Sequence, residues 1–262
     1  MRKVAIVTGS SKGIGYETAK LLSKNGYIVY GFARSKTNIE GVNSVICDVT
    51  DSSLLAQKYE EVYCKEGKID LLVNNAGLGI SGAVECTSDE AVAKIVKLNL
   101  SALEKSCRLA VPYLRKSKGR IINLSSVAGL LPIPFQTYYS ATKSAVLMFS
   151  RSLNLELKPL GVKVLAVLPG DTKTSFTQAR ERSFEGEDIY GERIKRSVSK
   201  MEKDEQNGVP PIKVAKVIYK MAEKKHPKPY VIVGLDYKFL YLLTRLLPTR
   251  FVDFILYQMY AK

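Results

Sequence analysis

Val4-Ala5-Ile6-Val7-Thr8-Gly9-Ser10-Ser11-Lys12-Gly13-Ile14-Gly15 opens the chain and decides its fold. Four apolar residues without polar alternation read as a strand buried on both faces. The glycines after them allow a tight turn, and Gly15 to Asn25 carries a helical pattern. A strand that runs through glycines into a helix N-terminus brings backbone N–H groups and the positive end of the helix dipole up to an anion. Gly9, Ser11, Lys12, Gly13, Ile14 and Gly15 are therefore candidates for holding the pyrophosphate of a dinucleotide.

The same alternation continues outward. Ile28 to Phe32, Ser44 to Cys47, Leu71 to Asn74, Ile121 to Leu124, Val162 to Leu168 and Tyr230 to Val233 read as further buried strands. Asp51 to Glu66, Asp89 to Lys116 and Thr137 to Leu157 read as helices, with Ser52 and Asp89 as caps or first-turn residues. This succession predicts a single α/β domain over residues 1–262, a doubly wound parallel sheet of about seven strands.

The end of the second strand selects the dinucleotide. It reads Tyr30-Gly31-Phe32-Ala33-Arg34-Ser35-Lys36, with no acid before Glu40 to accept a ribose 2′-hydroxyl. Arg34, Ser35 and Lys12 instead offer donors and charge to a 2′-phosphate, which predicts NADP(H).

Tyr139 and Lys143 stand four residues apart, on one face of a helix, where an ammonium lowers the phenol's pKa and makes it a better acid/base. With the glycine loop, Cys47-Asp48-Val49, Asn74-Asn75-Ala76-Gly77, Asn99, Ser125-Ser126-Val127-Ala128-Gly129 and Pro169-Gly170, this pair resembles the short-chain dehydrogenase/reductase family over about residues 3 to 234. The resemblance implies that Tyr139 is the general acid of carbonyl reduction. Lys143 lowers its pKa and holds the nicotinamide ribose, Ser126 binds the carbonyl oxygen, and Asn99 holds a water of a proton relay. It further implies adenine contacts at Asp48 and Val49, a floor near the ribose at Asn75, Ala76 and Gly77, and cofactor contacts at Pro169, Gly170, Thr172 and Thr174. Tyr138 and Ser125 adjoin two of these residues. The i+4 spacing selects Tyr139, and the family's usual Ser-to-Tyr separation then selects Ser126.

The implied chemistry is hydride transfer between nicotinamide and a carbonyl or secondary alcohol, with reduction the expected direction. Leu130-Leu131-Pro132-Ile133-Pro134-Phe135 beside the serine and an aromatic tail predict a bulky apolar ketone, steroid-like or lipid-derived, in similarity to hydroxysteroid dehydrogenases and acyl-dihydroxyacetone-phosphate reductases. An alternative is a 3-oxoacyl-thioester reductase drawing an acidic carrier protein to its positive charge. A cofactor-binding scaffold or sensor without turnover is a third reading.

Two segments interrupt the pattern. Residues Thr177 to Gly208 are rich in Arg, Glu, Lys and Ser with few apolar anchors, and read either as a solvated loop or as a lid over the substrate. The tail from Leu235 reads as two helical pieces split at Pro248, crowded with Leu, Phe and Tyr. It covers the core, lines the substrate entrance, pairs with another subunit, or lies in a membrane interface.

Composition bounds the rest. Forty Lys and Arg against 25 Asp and Glu give a charge of +15, yet no nucleic-acid-binding motif or basic-aromatic stripe appears. Cys47, Cys64, Cys86 and Cys107 form no CxxC pair and His226 stands alone, so no metal site is expected. The cysteines read as mostly buried thiols of a reducing compartment. No apolar run is long enough to span a bilayer, and the N-terminus lacks a signal-peptide pattern. The chain is expected in the cytoplasm, possible membrane contact being peripheral through the tail. A homodimer or homotetramer is the expectation from the family, through the Asp89–Lys116 and Thr137–Leu157 helices.

Overall fold

The computed structural model describes residues 2–262. In chain order its elements are β1 (Val4–Thr8), α1 (Gly13–Lys24), β2 (Ile28–Ala33), β3 (Val42–Ile46), α2 (Ser52–Glu66), β4 (Leu71–Asn74), β5 (Ile80–Ser81) and α3 (Asp89–Val96). There follow α4 (Ala102–Ser117), β6 (Arg120–Leu124), α5 (Thr137–Leu157), β7 (Lys163–Pro169), α6 (Phe176–Ala179), β8 (Glu181–Arg182) and α7 (Glu187–Tyr190). The last five are α8 (Arg193–Gln206), α9 (Pro211–Glu223), β9 (Tyr230–Val233), α10 (Leu235–Leu246) and α11 (Thr249–Tyr260).

Seven strands form one parallel sheet in the order β3-β2-β1-β4-β6-β7-β9, and β5 pairs with β8 apart from it. Buried apolar residues on both faces of the sheet supply the core. On one face Ile6, Leu72, Ile121 and Val164 meet α2, α4 and α5; on the other Val7, Val73, Ile122 and Val167 meet α1 and α9. The strand order reverses between β1 and β4. Side chains at the carboxyl ends of these strands open there into a crevice, which places ligand sites in such sheets.

A buried polar chain fixes the helices over that crevice. Tyr59 and Ser106 share a hydrogen bond at 2.6 Å, and Ser106 donates to Asn74. Asn74 donates to Asn123 at 2.9 Å, and Asn123 donates to Ser150 at 2.9 Å. Each member has a partner, so the polar groups tie α2, α4 and α5 to β4 and β6 without a desolvation penalty.

Several sequence expectations need correction. The helix predicted across Asp89 to Lys116 is α3, a π-helical stretch at Lys97–Ser101, and α4. Widened turns of this kind recur at functional sites, and this one contains Asn99. Of the two readings of Ser52 and Asp89, cap or first-turn residue, the structure takes the second, and the caps lie one residue earlier. Asp51 accepts from the backbone of Ser53 and Leu54, and Ser88 from Ala91, which leaves Ser52 and Asp89 as first helical residues.

Residues 177–208 are not an unanchored loop. They include α8, whose Ile194, Val198 and Met201 are buried, and α9 follows at Pro211. A buried Arg180–Glu205 ion pair and a 2.5 Å hydrogen bond from Thr177 to Glu205 tie the two ends of the segment together, and the pairing of β8 with β5 joins it to the body. Of the four free cysteines Cys47 and Cys107 are buried, but Cys86 is half-buried and Cys64 exposed. The tail does divide at Pro248. No helix among the described residues is long and apolar enough to cross a membrane.

Candidate active site

The glycine loop is shaped by contacts of its own. Gly9 and Gly13 take positive φ, +65° and +58°, and Gly15 packs so closely beneath Gly9 that a side chain there would overlap the Gly9 carbonyl. The Asn75 amide donates to the Thr8 and Gly9 carbonyls at 3.0 and 3.1 Å. In return the Thr8 hydroxyl accepts from the N–H groups of Asn75 and Ala76 at 3.0 and 3.1 Å. Thr8 thus joins the end of β1 to the end of β4, a role the sequence reading missed. A buried threonine ending a strand before a glycine was the available signal.

All but Gly15, Ser35 and Asn99 of the sequence-predicted site residues line one cleft of about 1200 Å³, room enough for a dinucleotide and a second molecule. Gly15 lies behind the loop, and Ser35 points to solvent. At one end Arg34 and Lys12, both exposed, stand near Asp48 and Val49. Asp48 uses one oxygen to accept from the N–H and hydroxyl of Thr50, each at 2.8 Å. Across the loop, a Cβ at Gly13 would sit 3.3 Å from the Thr174 Cβ, so only a glycine leaves the gap between them open. This cradle fits a pyrophosphate, and the cations beyond it fit a phosphorylated ribose.

Tyr139 and Lys143 project from the first turns of α5, with the Lys143 Nζ 5.7 Å from the Tyr139 ring centre. The ammonium donates to the Leu124 carbonyl at 2.9 Å, and burial pushes its pKa down to about 8. Burial pushes the Tyr139 phenol up to about 12, with the Ser126 hydroxyl beside it and the Arg180 charge pulling the other way. Desolvation thus outweighs the Ser126 and Arg180 contributions and leaves the phenol above its ordinary value.

Ser126 caps the short turn Val127–Gly129 and accepts from the Ala128 N–H at 3.2 Å, with its hydroxyl open to the cleft. Ser125 is buried and donates to the Lys143 carbonyl instead. Tyr138 turns away from the cleft, and its hydroxyl reaches the Val84 carbonyl at 3.4 Å.

Asn99 lies behind the cleft floor, buried within the π-helical turn. Its amide accepts from the Leu78 N–H and donates to the Leu78 carbonyl, each at 2.9 Å, and also donates to the Thr142 hydroxyl at 3.3 Å. Through these bonds the Asn99 side chain positions the loop behind Gly77 against α5.

Thr172 donates to the Gly170 carbonyl at 2.9 Å, which keeps the loop after β7 folded on itself. Beyond it the cleft is walled by mostly apolar residues, among them members of the 130–135 stretch and of the tail, which takes the substrate-entrance position that was one of its four readings. Leu131, Ile133, Gln136, Phe176 and Met201 lie on the body side, and Tyr237, Leu240, Leu256, Met259 and Tyr260 come from the tail. Phe135, just before α5, adopts a left-handed φ of +59°, a strained conformation at the edge of this wall. The Tyr139 and Phe176 rings lie 5.8 Å apart, so the phenol sits where the polar floor meets the apolar wall.

Comparison with known proteins matches this arrangement. A family model described as short chain dehydrogenase matches residues 3–184. The chain is 40% identical over 237 residues to 3-ketodihydrosphingosine reductase of Bacteroides thetaiotaomicron, covering 88% of each chain. It is 35% identical over 193 residues to NADPH-dependent 1-acyldihydroxyacetone phosphate reductase of Saccharomyces cerevisiae, covering 68% of this chain and 64% of that one. Among solved structures, a short-chain dehydrogenase from Streptomyces avermitilis superposes with a TM-score of 0.84 at 27% identity, over 98% of this chain and 96% of the other. The glycine cradle, the Tyr139–Lys143 helix and these matches make the chain a member of the short-chain dehydrogenase/reductase family, whose oxidoreductases use a nicotinamide cofactor.

Proposed function

We propose that the chain is an NADP(H)-dependent reductase of a bulky, apolar, lipid-derived ketone. The observation that carries this reading is the position of the Tyr139 phenol, buried beside the Ser126 hydroxyl and opening onto a wall of aliphatic and aromatic side chains. The names of the two relatives, each a reductase in lipid chemistry and one NADPH-dependent, support it.

Bound NADPH supplies the hydride. Lys12 and Arg34 hold its 2′-phosphate, with the Ser35 hydroxyl at the surface beside them. Asp48 and Val49 flank the adenine, and Gly9, Ser11, Gly13 and Ile14 receive the pyrophosphate with Gly15 supporting the turn. Asn75, Ala76 and Gly77 underlie the ribose, while Pro169, Gly170, Thr172 and Thr174 close the nicotinamide end.

Ser126 donates a hydrogen bond to the carbonyl oxygen as it gains negative charge, and Tyr139 transfers its proton to that oxygen. A phenol held near 12 is fully protonated at neutral pH, as an acid awaiting a ketone must be. Lys143, whose pKa of about 8 lies close to cellular pH, exchanges protons readily and reloads the phenol. Asn99 acts through others, as a positioning residue for the Leu78 loop and α5. Residues 177–208 form the cover of the substrate end, and a homodimer or homotetramer through α4 and α5 completes the reading.

The test is NADPH consumption with long-chain lipid ketones, steroid ketones and 3-oxoacyl thioesters, for the wild type and Tyr139→Phe. Saturable turnover of a lipid ketone that Tyr139→Phe abolishes, with NADPH binding retained, is the expected outcome. Preference for acyl thioesters, or turnover in the phenylalanine variant, overturns it.

A further inference from the structure

The tail hairpin is apolar on two sides, and the cleft uses only one. On α10, Tyr237, Leu240 and Tyr241 pack inward. Leu235, Phe239, Leu242 and Leu246 stand four, three and four residues apart on its other side, with exposures of 78, 63, 54 and 72%. On α11, Val252 and Leu256 are buried while Phe251 and Phe254 are 51 and 57% exposed. Single exposed leucines are ordinary, but a stripe along one helix face beside two exposed phenylalanines is not. Exposed Lys238, Arg245 and Arg250 punctuate these apolar residues.

We propose that the α10–α11 hairpin docks on an anionic lipid bilayer, with both helices lying in the interface. An amphipathic helix of Leu and Phe edged by Lys and Arg places its apolar side at the acyl boundary and its cations among anionic headgroups. Each helix has 12 residues, about 18 Å of length, well short of the hydrocarbon core, and Pro248 separates the two. The hairpin therefore lies on the membrane and does not cross it.

Charge argues against a second copy as the occupant. Among the exposed charged residues of the two helices Lys238, Arg245 and Arg250 outnumber Asp236 and Asp253, so a two-fold interface through this face would gather a net positive charge from both protomers. An anionic bilayer complements these cations, and the charge of +15 over the whole chain favours the approach.

The docking face and the substrate wall are two sides of one element, since Leu240, Leu256, Met259 and Tyr260 of the same hairpin line the cleft. A lipid ketone can then pass from bilayer to Tyr139 along apolar side chains. This use of the surface, though not the docking itself, rests on the proposed lipid-ketone activity.

Flotation of the full chain with phosphatidylcholine vesicles, alone or mixed with phosphatidylglycerol, tests the docking, with light scattering to follow oligomeric state. The wild type should float with the anionic vesicles and release as salt is raised. Phe239→Ser/Leu242→Ser/Leu246→Ser should abolish flotation, and Lys238→Glu/Arg245→Glu should weaken anionic binding at least about tenfold. Both variants should consume NADPH with a short, water-soluble ketone at the wild-type rate.

Absence of flotation, or flotation that neither variant alters, overturns the proposal. So does dissociation of an oligomer by the serine variant with no vesicle binding in any form, which would assign the face to a second copy. Flotation without turnover of any lipid ketone leaves the docking standing and removes the proposed substrate.

Discussion

The Ser125 hydroxyl donates to the backbone carbonyl of Lys143 at 2.7 Å, joining the chain just past β6 to the second turn of α5. The two segments approach closely there. A Cβ at Gly129 would lie 2.8 Å from the Lys143 carbonyl carbon and oxygen, so the glycine permits the contact that the serine fixes. The spacing between Ser126, Tyr139 and Lys143 depends on this junction.

The neighbouring serines should therefore separate cleanly. Ser125→Ala removes the second donor to the Lys143 carbonyl, which keeps its intrahelical one, and should lower stability by roughly 0.5–1.5 kcal/mol with a modest loss of turnover. Ser126→Ala should reduce kcat about 10²-fold or more, the range for one lost oxyanion donor, while thermal stability holds. Chemical denaturation and steady-state kinetics on both variants measure this. The opposite pattern would interchange the two assignments.

What the sequence made legible follows from where its information lies. The seven strands are short apolar runs because both sheet faces are covered, and no tertiary contact is needed to read them. Asn99, Ser126, Tyr139 and Lys143 carry distinctive chemistry at fixed spacing. The π-helical turn at Lys97–Ser101 left no mark, because the apolar pattern continues through Leu98 and Leu100. In α8 three buried anchors are diluted among Arg, Lys and Glu, so the segment resembled a loop. The apolar wall was legible in part. The 130–135 stretch and the aromatic tail announced it, whereas Gln136, Phe176 and Met201 come from segments that converge only in the folded chain.

Cofactor choice should hinge on Arg34. Its guanidinium lines the cleft with Lys12, and offers two parallel donors to a phosphate. Arg34→Asp should weaken NADPH binding by tenfold or more while leaving NADH equal or tighter, because the carboxylate repels the 2′-phosphate and can accept from a 2′-hydroxyl. Titration with both cofactors decides it, and equal losses would remove Arg34 from that role.

Burial of Lys143 predicts a pH dependence of stability. Its folded-state pKa, about 8, lies below the ordinary 10.5. Below pH 8 both states are protonated, and the folded chain bears a desolvated charge. Between about 8 and 10.5 the unfolded chain holds more protons than the folded one, so this group's contribution rises with pH. Lys143→Met removes the charge at every pH. The stability of the methionine variant relative to wild type should therefore decline steadily from pH 8 to pH 10, while the variant lacks turnover throughout. A constant difference across that range would mean that Lys143 is not held deprotonation-prone by burial.

The tail also reaches the loop that follows β7. The Tyr237 ring covers Gly170 so closely that any Cβ there would overlap it, and its hydroxyl donates to the Asp171 carboxylate. Burial pushes Asp171 up to about 6, and the phenol restrains that rise. Gly170→Ala should destabilise the fold by overpacking and raise the KM for the cofactor. In a Tyr237→Ala background the space opens, so the same alanine at 170 should cost much less. Two residues in contact couple in this way, whereas independent positions would simply add. In Tyr237→Phe, which keeps the covering ring and removes only the hydroxyl, Asp171 should titrate at a higher pH than in wild type. The folded chain then keeps its proton over a wider range above the ordinary carboxylate pKa, so the fall in stability with rising pH extends further. Additive losses in the double variant would show that the tail rests on the cofactor loop without being keyed to it.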